Sequence, residues 1–191
     1  MNTERASPED LALLRATFPA AGDHRPPLGR EAVRAFEAAH GTVLPEPYRT
    51  FLAEIAGGSP SGPPAYGLLG PAELPADWGD DRPRREPGLP FPLTAPFMWE
   101  GRAWEEDDTD LEEIDALMGR VFDHGSVVLG TDGCGMNWHL VVTGPHRGHI
   151  WLVTGEGADP FGAEFGGTTA GSGFAGWVRH WAEGKDWYDA L

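Results

Sequence analysis

Cysteine is nearly absent from these 191 residues. Cys134 is the only one, which excludes an internal disulfide and fits a reducing, cytoplasmic setting. Positive charge is scarce as well: 14 Lys and Arg stand against 30 Asp and Glu, a formal charge of −16. That balance argues against binding nucleic acid, whose phosphates are held by Lys and Arg, and against an anionic lipid surface. It favours solubility and a basic protein partner. No apolar run is long enough to span a bilayer, and no signal-type apolar stretch opens the chain. Neither membrane insertion nor signal-directed secretion is therefore expected.

What is present suffices for one folded domain. The length allows a substantial core, and eight tryptophans supply large packing units. The most informative stretch is GSVVLGTDGCGMNWHLVVTGPHRGHIWLVTG, residues 125–155. Three apolar runs (126–129, 136–143 and 149–154) are separated by glycine-rich turns, and their β-branched residues fit a pleated surface. This predicts a β-meander at the centre of an antiparallel sheet. Trp138, Leu140 and Val142 alternate with Asn137, His139, Val141 and Thr143, and the first set is expected to face the core. The register of the next run stays open. A four-residue turn pairs Val142 with Trp151 and Leu140 with Val153, whereas a five-residue turn substitutes Ile150 and Leu152.

Helices are expected on either side. Ser7-Pro8-Glu9-Asp10 carries a cap, an N-terminal proline and two acids, with Leu11, Leu14 and Phe18 behind them. Residues 21–27 then read as a polar linker ahead of a domain spanning 28–191. A second helix is expected from about Gly29 to His40-Gly41, and a third over 48–56, where Tyr48, Phe51, Leu52 and Ile55 share one face. Residues 66–69 read as a short strand. Residues 71–96, rich in proline, read as a long surface excursion whose Arg82, Arg84 and Arg85 pair with nearby carboxylates. Thr109 and Glu112 have capping-box spacing, which predicts a helix from Asp110 with Leu111, Ile114, Leu117 and Met118 inward. Residues 156–173 read as glycine-rich loop, followed by a last helix that buries Phe174, Trp177, Val178 and Trp181. Helices, sequential hairpins and a closing helix make an α+β fold. Its core should include Tyr48, Phe51, Leu52, Leu140, Val142, Trp151, Trp177 and Trp181.

Catalytic patterns are weak. Glu105, Glu106, Asp107, Asp108 and Asp110 lack the spaced ligands of a calcium loop. Cys134, His139, His146 and His149 are poorly spaced for zinc, and Cys134 with His139 as base lacks an evident orienting group. The glycine clusters at 130–135 and 166–173 match neither a P-loop nor a strand–GxGxxG–helix unit. The residues favour a binding protein without metal or cofactor over a metal-dependent or Cys/His hydrolase.

Several motifs in sequence order resemble one family. Leu44-Pro45-Glu46-Pro47-Tyr48-Arg49, Phe51-Leu52 and Gly57-Gly58 are similar to the opening "LP-x-x-Y/F-x-x-FL" pattern of the SUKH superfamily. That group includes bacterial immunity proteins and yeast cell-wall synthesis regulators. Tyr66-Gly67-Leu68-Leu69, the 125–135 segment, Gly148-His149-Ile150-Trp151 and Phe174-Ala175-Gly176-Trp177 resemble its later elements. The acidic and proline-rich excursion at 71–110 matches no fixed family pattern. The resemblance implies an antiparallel sheet flanked by helices and a non-enzymatic role, the neutralisation of a cognate toxin, often a nuclease. An intracellular regulatory or scaffold role is the alternative it implies.

Residues 99–115 carry nine carboxylates against one arginine. An acidic patch of this kind can enter a toxin's basic groove and speed encounter. Aromatic anchors are enriched at such interfaces. The expected partner-binding residues are Trp99, Trp104, Glu105, Glu106, Asp107 and Asp108. The competing reading buries the tryptophan and leaves the acids as a solvated helix start.

Overall fold

Ser7 starts the first helix as its spacing predicts. Its hydroxyl accepts from the Asp10 amide at 3.4 Å, and Pro8 takes the first helical position of α1 (Pro8–Thr17). In this computed structural model, which describes residues 5–79, 84–100 and 108–190, four further helices follow. α2 (Arg30–His40) ends on Gly41, which takes the left-handed conformation at φ 63° and returns its amide to the Glu37 carbonyl. α3 (Tyr48–Glu54) buries Tyr48, Phe51 and Leu52. α4 covers Asp108–Asp123, starting two residues before the capping box predicts, and α5 covers Gly173–Ala182.

Five strands form one antiparallel sheet in the order β1-β5-β4-β3-β2. They are β1 (Phe97–Met98), β2 (Ser126–Thr131), β3 (Asn137–Val141), β4 (Ile150–Val153) and β5 (Gly157–Phe161). The meander is β2-β3-β4, and the fold is α+β. Residues 66–69 are not a strand of this sheet. They run beside the outer edge of β2, where the Leu69 amide donates to the Leu129 carbonyl at 2.8 Å and shields that edge. β5 lies inside the stretch that reads as loop.

The β3–β4 register places Leu140 opposite Ile150 and Trp138 opposite Leu152. Neither short turn allows this pairing. The hairpin closes instead where Gly148 donates to Val141 and Val141 donates to His149. Ile150 and Leu152 share the face of Leu140, as a five-residue turn would have them, and Trp151 points the other way.

Both faces of the sheet are buried. On the first, Trp138, Leu140, Val142, Ile150 and Phe161 pack under α1, α2, α3 and α5 with Tyr48, Phe51, Leu52, Phe174 and Trp177. Trp181, expected in this core, is half-exposed in the last turn of α5, beside Gly62. α1 packs on α5. The segment after α5 returns to the core, stacking Trp187 on Trp177 (5.5 Å, 9°) and against Trp138 (4.7 Å). Asp189 secures that return by accepting from Thr168 and Thr169, bonds that hold its carboxyl down to about 2.

On the second face Val128, Val141, Trp151, Val153 and Ala158 lie under α4 and the proline-rich segment. That segment forms neither helix nor strand over its described residues from 71 to 96, as expected, but it is no surface excursion. Trp78, Phe91 and Leu93 are buried in this second core beside Trp99, Val121 and Phe122. Asn137, His139 and Val141, on the face opposite Leu140, are consequently buried too.

Leu140 has no exposed surface. Leu140→Ala should destabilise the fold by about 2–5 kcal/mol, measured by urea unfolding, through lost transfer energy and the cavity left behind. A loss under about 0.5 kcal/mol would mean that the site collapses freely or is not core.

Candidate interaction surface

The acidic segment leads into α4, and α4 turns its charge outward. Ile114, Leu117, Met118, Val121 and Phe122 face the second core. Glu112, Glu113 and Asp115 are exposed on the opposite side, and none of the three forms an ion pair among the described residues. The inward face is apolar at helical spacing, so the remaining positions are free to carry charge. Trp104, Glu105, Glu106 and Asp107 lie outside the described residues. Of Asp108 only the backbone is described, at the first position of α4.

Trp99 is placed differently from an exposed anchor. It is buried, and its indole N–H donates to the Gly155 carbonyl at 2.8 Å. Its ring lies 6.3 Å from Phe97 and 6.4 Å from Phe122. The Trp99 and Glu100 amides both donate to the Glu156 carbonyl at 3.0 Å. The indole therefore clamps the start of the acidic run to the β4–β5 turn, and what reaches solvent there is Met98, Glu100 and Glu156. Met98 lies across Gly157, where an added Cβ would come within 2.5 Å of its sulfur. Met98 is thus an exposed apolar side chain at the edge of the sheet, with exposed carboxylates at Glu100 and Glu156.

The candidate catalytic groups do not converge. Cys134 is exposed at the β2–β3 turn, in the left-handed region at φ 52°. His139 is fully buried in β3, its Nδ1 2.9 Å from the Ser126 hydroxyl. His146 and His149 sit at the other end of β3, their rings 5.4 Å apart, with Glu164 3.6 Å from His149. Among the described residues no three His, Cys, Asp or Glu side chains form a metal-binding group.

One polar constellation escapes sequence reasoning. Arg85 does not pair with a carboxylate. Its Nε donates to the Phe122 carbonyl at 2.9 Å and its Nη2 to the Ser126 hydroxyl at 2.8 Å, with the guanidinium 5.4 Å from the Trp78 ring centroid. Burial pushes this arginine down to about 10, against the opposing field of Asp123. Arginine and tryptophan come here from the proline-rich segment, serine from β2 and histidine from β3, and no local spacing connects the three.

The arrangement of elements, with an LPxxY helix ahead of a β-meander, is matched at the level of sequence. A family profile described as SMI1 / KNR4 family (SUKH-1) covers residues 27–168. The chain belongs to this family. No curated protein and no solved structure matches it. The SUKH-1 match takes in α2, α3, the whole sheet, α4 and the second-core segment. α1 and α5, with the Phe174–Trp177 motif that resembles the family's closing helix, lie outside the matched residues. No described helix of this SUKH-1 chain is long and apolar enough to cross a membrane.

Proposed function

We propose that this SUKH-1 protein is a non-enzymatic binding module that neutralises a basic toxin domain, in the manner of an immunity protein. The observation that carries the reading is the acidic outer face of α4, continuous in sequence with the acidic segment before it, whose Glu112, Glu113 and Asp115 have no ion-pair partner among the described residues. A nuclease must present Lys and Arg to hold phosphate. A carboxylate face on a chain of charge −16 complements such a groove and draws it in at long range. Glu105, Glu106, Asp107 and Asp108 continue the same charge in the sequence, and Met98 with Glu100 and Glu156 supplies a second contact at the edge of β1.

Reversal of Glu112, Glu113 and Asp115 to lysine is expected to slow association with the toxin domain encoded beside this chain. The on-rate should fall by about tenfold or more at low salt, and its dependence on salt should flatten. The same result is expected from reversing Glu105, Glu106, Asp107 and Asp108. Unchanged rates and slopes in both variants, measured by stopped flow, would reject the acidic face. Recovery of a housekeeping complex as the partner, in place of a neighbouring toxin, would turn the reading to regulation.

A further inference from the structure

Most arginines with described surroundings are spent internally: Arg25 on Glu73, Arg49 on Glu37, Arg15 and Arg30 on Glu54. Arg84 is not. It is exposed and makes no hydrogen bond or ion pair among the described residues, yet it borders a concavity. Two adjoining cavities of about 500 Å³ each lie between the end of α2 and the proline-rich segment, and both are lined by His40, Arg84 and Arg85. Their apolar walls come from Phe36, Leu74, Trp78 and Leu89. Two carboxylates at the rim are engaged elsewhere. Glu86 lies 3.7 Å from His124, and Glu73 is held by Arg25 and the Gly70 amide.

Cations are thus gathered in a recess of a strongly acidic protein; Asp123 acts on Arg85 through its field, and Arg84 has no ion-pair partner among the described residues. His40 lies with its ring tilted against Phe36 at 4.4 Å, and burial, followed by the fields of the two arginines, lowers its basicity. Arg85 is fixed in orientation by Phe122 and Ser126, while Arg84 keeps all its donors. A pair of guanidinium groups, one rigid and one unengaged, suits the planar or tetrahedral oxygens of a carboxylate or phosphate. The volume and the mixed lining are those of a small-molecule site.

We infer that this recess binds a small organic anion, a carboxylate or phosphate carried on an apolar body. Arg84 and Arg85 hold the charged group, and Phe36, Leu74 and Trp78 contact the body. The site is separate from the acidic face of α4 and does not depend on the toxin reading.

The test is calorimetric titration of the full chain with phenyl phosphate and with benzoate, alongside benzyl alcohol, inorganic phosphate and an acidic peptide. Saturable binding of at least one aromatic anion is expected, and which of the two binds tells phosphate from carboxylate. Arg84→Ala, an exposed change that leaves the fold intact by circular dichroism, should weaken binding by about tenfold or more, the loss of one charge-assisted contact. The inference is overturned if neither aromatic anion binds or if Arg84→Ala binds equally. Benzyl alcohol or inorganic phosphate matching the aromatic anion would overturn it too. Binding of the acidic peptide alone would replace it with a protein contact.

Discussion

Replacing Trp151 by alanine is expected to cost about 3–5 kcal/mol, one of the largest losses any single change can produce here. The side chain has no exposed surface, and it lies on the second face of the sheet, edge-on to Phe91 at 5.1 Å and to His146 at 5.5 Å. Its cover is the proline-rich segment, with no regular backbone to close over a cavity. Trp151→Phe should lose much less. The indole N–H has no hydrogen-bond partner among the described residues, so phenylalanine removes a buried unpaired donor along with some contact area. Urea unfolding of the two variants decides whether the segment is a structural layer. A loss below about 1 kcal/mol for alanine would return it to the status of a surface loop.

Gly125→Ala should be comparably damaging, at about 2–6 kcal/mol, because two penalties combine. Gly125 has φ +65°, where an L side chain is strained. A Cβ there would also lie 2.1 Å from the Phe91 backbone nitrogen, which cannot swing aside as a flexible side chain does. Several hydrogen bonds meet at this point. The Gly125 carbonyl accepts from the Val142 and Thr143 amides, and the Phe91 amide donates to the Thr143 carbonyl. Displacing Phe91 would therefore open the second core and fray β2 from β3 together. Gly119, inside α4 with nothing within 4 Å of an added Cβ, is the control. Alanine there should stabilise the protein by about 0.5–1 kcal/mol. Equal effects of the two substitutions, compared by thermal unfolding, would show that the close approach to Phe91 is not part of the folded state.

The helical layer was legible because its signals are local. Ser7 caps α1, Gly41 ends α2, and Tyr48, Phe51 and Leu52 repeat at helical spacing before any tertiary contact is known. β5 was not, because Gly157, Ala158, Asp159 and Pro160 are residues that strands usually avoid. The sheet accommodates Pro160 through geometry remote from it. Thr154 donates to Gly157 across the β4–β5 ladder, and the alternation of bonded pairs then turns the nitrogen of Pro160 away from β4. β1 pairs only with Gly157 and Ala158, so no ladder partner calls for the missing N–H. The second core was hidden for a related reason. Trp78, Phe91, Leu93 and Trp99 recur with no period, and proline suppresses the regular backbone that would create one. A tryptophan amid carboxylates suggests an exposed anchor, yet Trp99 is a clamp whose partner, Gly155, is 56 residues away. The acidic outer face of α4 was implicit once its inner face was assigned. The recess at Arg84 and Arg85 was not: Arg85 is held by a carbonyl and a hydroxyl, Arg84 has no ion pair among the described residues, and Arg82 lies outside them.

The packing of α1 on α5 carries a consequence for synthesis. α1 leaves the ribosome ahead of the sheet, while the helix that shelters its apolar side is translated only after the last strand. At about 5–20 residues per second, the interval is on the order of ten seconds. Throughout it Leu14, and the Trp138 side of the sheet awaiting Trp177 and Trp187, lack part of their final cover, although Phe18 already has Phe51 of α3 to pack on. Closure then requires joining two helices that flank the matched region on either side, a contact between distant parts of the chain that forms slowly. The first core is therefore completed only after translation has passed α5.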